Sequence, residues 1–180
     1  DDLAYAKVRL DDESLAAATE HLHHFADSLP RTLVWNAAWD MTRDGEWPAR
    51  RLVDLTLRNI AHETDSSVVL VLLRQLATAL DLYVAPEHRT DAHRAAADAL
   101  GDLARGAEPG SDAQLQLVKA FASRASAVPH LDAVAGMLDG GTPLAGLVVD
   151  TDLRWELLTA LVAGGRAGEA EIVAELPRDA

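Results

Sequence analysis

Isoleucine occurs twice in this chain of 180 residues, while alanine occurs 34 times and leucine 28 times. Unbranched side chains lose little rotamer freedom in a helix, whereas strands draw on β-branched and aromatic residues. With only eight aromatic residues as well, the chain has little from which to build a sheet. An all-α fold follows. The 180 residues suffice for one domain with a sizeable core.

Charge and cysteine content remove several function classes. The chain carries 29 acidic and 16 basic side chains, a formal charge of −13, which opposes binding to a phosphate backbone. It has no cysteine, so disulfide scaffolds, thiolate metal sites and cysteine nucleophiles are excluded together. The longest uninterrupted apolar run, Val68–Leu73, is six residues, against roughly 20 for a membrane span. Asp1-Asp2 stands where a signal peptide would carry basic residues. The expectation is a soluble, cytoplasmic chain with neither nucleic acid nor membrane as partner.

Along the chain, residues 1–12 differ from the rest. Leu3, Tyr5, Lys7 and Arg9 alternate with Ala4, Ala6, Val8 and Leu10, a period of two that predicts a short strand, the end of a preceding β domain or a linker. Residues 13–180 read as helix after helix. Asp11-Asp12 offers a cap for a helix over Ser14–Ser28, and Pro30 opens the next. Asp65-Ser66-Ser67 caps an apolar stretch, Val68–Leu82, that reads as a helix buried on most sides. Pro86 starts a helix through Ala104, and Ser111-Asp112-Ala113-Gln114 matches a capping box. Further helices are predicted at about Pro129–Leu138, Pro143–Val149, Thr151–Val162 and Gly168–Leu176. Paired into antiparallel hairpins, these starts give a period of roughly 33–40 residues, that of a HEAT-like α-superhelix.

No arrangement of side chains predicts catalysis. Glu20 and His24, i,i+4 beside His21 and His23, have a spacing that zinc sites use, but the third ligand is missing. His62-Glu63-Thr64-Asp65 begins like the HExxH zinc motif, yet Ser66 stands where the second histidine is needed. His62 therefore reads as a helix end and Asp65 as a cap. His88 and His93, five apart, do not share a helix face, and His130 has no evident partner in sequence. Gly140-Gly141 and Gly164-Gly165 fall at helix ends as C-caps, without a phosphate-loop pattern. Trp35, Trp39, Trp47 and Trp155 read as packing residues. Catalytic, cofactor-binding and metal-ligating residues are accordingly expected to be absent from this chain.

Several segments together resemble one family. Leu29-Pro30-Arg31-Thr32-Leu33-Val34-Trp35-Asn36-Ala37-Ala38-Trp39-Asp40-Met41 resembles a helix of the C-terminal domain of the aminopeptidase N family of zinc metallopeptidases, in its actinobacterial form. His62-Glu63-Thr64-Asp65 and the apolar helix after it are similar to a segment of the related endoplasmic-reticulum aminopeptidases. Asp152-Leu153-Arg154-Trp155-Glu156-Leu157-Leu158 and Gly168-Glu169-Ala170-Glu171-Ile172 resemble two further helices, and residues 1–10 the strand leading into the domain.

The resemblance implies a non-catalytic α-superhelical domain that caps the upstream catalytic domain and bounds a peptide chamber. It implies zinc, with its HExxH ligands and the Gly-Ala-Met-Glu-Asn motif, only in that upstream part. It implies as partners that catalytic domain and the peptide substrate. It further implies that the domain continues past Ala180. The alternative is a helical-repeat interaction scaffold with no enzymatic parent, which would share the same composition and period.

Overall fold

The computed structural model describes residues 6–179, and among these all regular structure is helical, with nine α-helices and no strand. Packing divides the chain between Ala92 and His93, within the fifth helix. Residues 1–5 of the predicted strand lie outside the described residues. Ala6–Leu10 has no strand pairing, and Asp11 caps the first helix by accepting a hydrogen bond from the Ser14 amide at 2.7 Å.

The first unit contains α1 (Asp12–His21), α2 (Ser28–Arg43), α3 (Ala49–Asn59), α4 (Ser66–Thr78) with a π-helical turn (Ala79–Tyr83), and the start of α5 (Pro86–Gly106). Its centre is α3, which packs against α1 and against the π turn. Leu15, Leu22, Leu52, Leu55, Leu72 and Leu80 are each at most 2% exposed.

Two expectations for this unit need correction. The helix predicted over Ser14–Ser28 stops at His21, and Leu22–His24 forms a 3-10 turn. Tightening the last turn sends Leu22 fully into the core, and Asp27 then caps a new helix by accepting from the Leu29 amide at 3.0 Å. Pro30 thus sits in the first turn, where its missing N–H costs nothing. Nor is α4 enclosed on most sides. Val69, Leu72, Leu73 and Leu76 are buried at helical spacing, while Leu70, Val71 and, beyond it, Leu82 are exposed. Ser66–Tyr83 is long and apolar enough to cross a membrane by length and composition, but its Val69–Leu76 face is packed inside the unit.

The second unit holds the rest of α5, α6 (Asp112–Ala122), α7 (Val128–Asp139), α8 (Thr151–Ala163) and α9 (Glu169–Glu175). The main packing is α7 on α8, with α6 contacting both. Gly164, just past α8, lets the chain pass close to Leu131, whose Cδ2 would lie 2.5 Å from a Cβ placed there.

The helix predicted over Pro143–Val149 does not form; the segment is irregular. The reason is a close backbone crossing. Gly146 has φ +76°, and a Cβ on it would lie 2.5 Å from the Gly110 amide nitrogen and 2.6 Å from the Pro109 carbonyl carbon. Buried Gln114 pins the crossing: Oε1 accepts from Gly110 N–H at 2.8 Å, and Nε2 donates to the Ala145 carbonyl at 3.2 Å. This use of Gln114 also revises the predicted capping box. Ser111 caps α6 as expected, accepting from the Gln114 amide at 3.1 Å, but the glutamine side chain reaches one residue further back.

Candidate functional site

The most developed polar cluster lies in the first unit. Arg31 and Trp35 stand i,i+4 on the inner face of α2, and Glu63 follows the 3-10 turn Ile60–His62. All three are buried, at 6%, 2% and 7% exposure. Arg31 donates through Nε to Glu63 Oε1 at 3.1 Å and through Nη2 to Oε2 at 3.2 Å. Trp35 Nε1 donates to the same Oε1 at 2.7 Å. The remaining Arg31 nitrogen, Nη1, donates to the Phe25 and Ala26 carbonyls at 2.6 and 3.3 Å.

A carboxylate that accepts three bonds, facing a guanidinium spread over four acceptors, is already satisfied by its own fold. Such a group holds segments together. Arg31 and Trp35 pin α2 to the α3–α4 connection, while Asn36 is exposed. Half-buried Trp39 meets Tyr83 edge-to-face at 6.1 Å, with the Arg43 guanidinium 6.0 Å from its ring. The pairing of Arg31 with Glu63 was not legible in sequence, since 32 residues separate them. The only signal was a glutamate beside a helix end that had no zinc partner.

The histidines gather differently from their spacing. Because α1 ends at His21, Glu20 and His24 do not share a helical face. His24 stacks on His21 with ring centroids 5.2 Å apart and meets His23 edge-on at 4.3 Å. His23 in turn stacks on His62 at 4.6 Å, and its Nδ1 lies 3.4 Å from Asn59 Oδ1. Among the described residues, no group of three or more His, Cys, Asp or Glu is placed to hold a metal ion.

In the second unit, His93 Nδ1 lies 3.4 Å from Arg124 Nη1. His130 does have a partner: it is buried in the first turn of α7, its Nε2 lies 2.7 Å from Asp98 Oδ1, and its ring meets Phe121 edge-on.

The second unit has its own arginine–glutamate network. Glu175, on α9, is 4% exposed. It is bonded by Arg154 Nε, by Arg154 Nη2 at 2.8 Å and by Arg178 Nη1 at 3.0 Å. Arg154 Nη1 donates to the Leu138 carbonyl at 3.0 Å. The Arg154 side chain, followed by Arg178, draws the Glu175 carboxyl down to about 2. These groups line a groove of about 470 Å3, and a second groove of about 430 Å3 is lined by Phe121, Met137 and Leu144 among others. On the first groove Arg154 and Arg178 are paired with Glu175, Arg166 is paired with Asp132, and Asp139 and Glu171 accept from the Gly141 and Gly168 amides.

Two comparisons with known proteins bear on this arrangement. Residues 1–180 match the family model for the ERAP1-like C-terminal domain. The chain is also 48% identical over 179 residues to a protein named aminopeptidase N from Streptomyces lividans, covering 99% of this chain and 21% of that protein. It therefore spans about a fifth of the length of the relative it matches, and the helical-repeat scaffold without an enzymatic parent is not favoured. All-helical in its regular structure among the described residues and matched from end to end, the chain belongs to the family of ERAP1-like C-terminal domains.

Proposed function

We propose that the chain is the non-catalytic C-terminal domain of a zinc-dependent aminopeptidase, which caps the upstream catalytic domain and bounds the chamber where peptides lose their N-terminal residues. The observation that carries this reading is the 48% identity to an aminopeptidase N, running through nearly all of this chain while covering a fifth of the relative. In that arrangement zinc would belong to the upstream part, where it would polarise the scissile carbonyl and activate water. The residues described above would supply shape. Buried networks at Glu63 and Glu175 hold helices in fixed positions, as a chamber wall requires. Assembly of the hairpins into an α-superhelix is part of the same proposal, as is movement relative to the catalytic domain to admit substrate.

The test is aminopeptidase activity on a leucine anilide and on longer peptides. It is measured for this chain, for the zinc-containing upstream part of its parent, and for a mixture of the two. The chain alone should be inert, and the mixture should associate and regain or reshape activity. No association and no change in activity would overturn the reading. Activity of the chain alone that survives repurification would overturn it as well.

A further inference from the structure

The chain enters the first unit along a short extended stretch that is held at two places. At one end Asp11 caps α1, with its carbonyl also accepting from the Leu15 amide at 3.0 Å. At the other, Lys7 Nζ donates to both carboxylate oxygens of Asp44, at 3.0 and 2.8 Å. Arg9 is paired with Asp44 and with Glu46. Alternation along extended backbone puts residues 7 and 9 on one side, and Val8 between them is half exposed.

The receiving side is a rigid turn. Asp44 ends α2, with its amide donating to the Asp40 carbonyl at 2.9 Å. Gly45 takes φ +75°, and the Glu46 and Trp47 amides both donate to the Met41 carbonyl, at 2.8 and 3.1 Å. That geometry presents two carboxylates before the alternating cations. Lys7, with Arg9 beside it, holds the Asp44 carboxyl below its ordinary range.

We propose that Lys7 and Arg9, clasped by Asp44 and Glu46, form an ionic strap that fixes the direction in which the chain enters the helical unit and that rising ionic strength releases. The four side chains are 30–58% exposed. Salt therefore reaches them, and the screening length falls from roughly 30 Å at 0.01 M to about 3 Å at 1 M. Bonds at Asp11 stay in place, so release frees the chain before residue 10 without unwinding α1. What the strap sets is the angle at which any preceding part is carried. This holds whether or not that part is an aminopeptidase.

Trypsin provides the test, because it must take the Lys7 or Arg9 side chain into its own pocket. Cleavage after these residues is followed by mass spectrometry in the full chain under native conditions. Rates are divided by those of a free peptide of residues 1–14, which removes the protease's own response to salt. At low salt the D44N/E46Q double variant should be cut about 5-fold faster than wild type, the order expected for losing a small network of exposed pairs. Wild type at about 1 M salt should approach the variant's rate. Equal rates for wild type and variant at low salt would overturn the proposal. A wild-type rate ratio independent of salt, a measurement that needs no variant, would do so too.

Discussion

Replacing Glu63 with glutamine changes one atom type and nothing in size, yet it should be the most destabilising isosteric change in the first unit. Glu63 Oε1 accepts from Arg31 Nε and Trp35 Nε1, and Oε2 accepts from Arg31 Nη2. A glutamine keeps one acceptor. Whichever way its amide is turned, its NH2 faces either the guanidinium or the indole N–H, so donor meets donor. Arg31 meanwhile loses its counter-charge while 6% exposed. Breaking a buried pair by removing one partner costs about 3–5 kcal/mol. With a urea slope of about 2 kcal/mol/M, that lowers the unfolding midpoint by roughly 2 M.

The assay is urea unfolding followed by tryptophan fluorescence in a Trp155→Phe background, which leaves the reporters at Trp35, Trp39 and Trp47, all in the first unit. Restricting the probe matters, because two units need not unfold in one step. A second variant separates charge from packing. Arg31→Met with Glu63→Leu removes both charges and should cost less than its two single changes summed, although it leaves the Trp35 N–H without an acceptor and the Phe25 and Ala26 carbonyls without a donor. If Glu63→Gln costs under about 1 kcal/mol, or if the double variant costs the sum of its single changes, the buried pair does not hold the unit together.

Two further outcomes follow from the second unit. Gly146→Ala puts a Cβ 2.5 Å from a backbone nitrogen at φ +76°, where neither atom belongs to a flexible side chain. A loss of about 2–5 kcal/mol is expected from left-handed strain plus overpacking, and thermal unfolding within 1 °C of wild type would contradict it. Glu175 is drawn from an ordinary value near 4.5 to about 2. Its folded pKa lies below its unfolded one, so its contribution is complete above about 4.5 and is lost as pH falls toward about 2. Protection of the α9 amides, taken as exchange relative to the intrinsic rate at each pH, should fall over that window in wild type but not in Glu175→Gln, and wild-type protection indifferent to that pH range would refute the assignment.

What the sequence made legible was local. Aspartates at 11 and 65 and the serine at 111 cap helices as read, because a cap needs only its own next few residues. All-α composition was sufficient for the fold class. The failures were cases where a distant contact outweighed local preference. Leu22 enters the core and ends α1 seven residues before Ser28. Pro143–Val149 is helix-compatible, but the Gly110–Gly146 crossing and Gln114 impose another path. His130 lacked a visible partner because Asp98 lies 32 residues away. Glu63 carried only its place beside a helix end, and Glu175 no local mark distinguishing it from the acidic surface around it.

Both of these glutamates are met by the same device, an arginine, in a chain where arginine outnumbers lysine by 14 to 2. Arg31 uses one edge of its guanidinium on Glu63 and its remaining nitrogen on the Phe25 and Ala26 carbonyls, just past a 3-10 turn. Arg154 divides its donors in the same way between Glu175 and the Leu138 carbonyl near the end of α7. In each unit one planar side chain neutralises a distant carboxylate and satisfies a backbone carbonyl at the end of a helix or turn, groups that otherwise go unpaired. Lysine cannot do both, since its three donors radiate from a single nitrogen. Arg31→Lys should therefore destabilise the first unit by about 1–3 kcal/mol through the unpaired acceptors, although charge is conserved. Arg154→Lys should free α9 to exchange at neutral pH as wild type does only in acid. If both lysine variants unfold and exchange like wild type, charge alone suffices and the forked geometry is incidental.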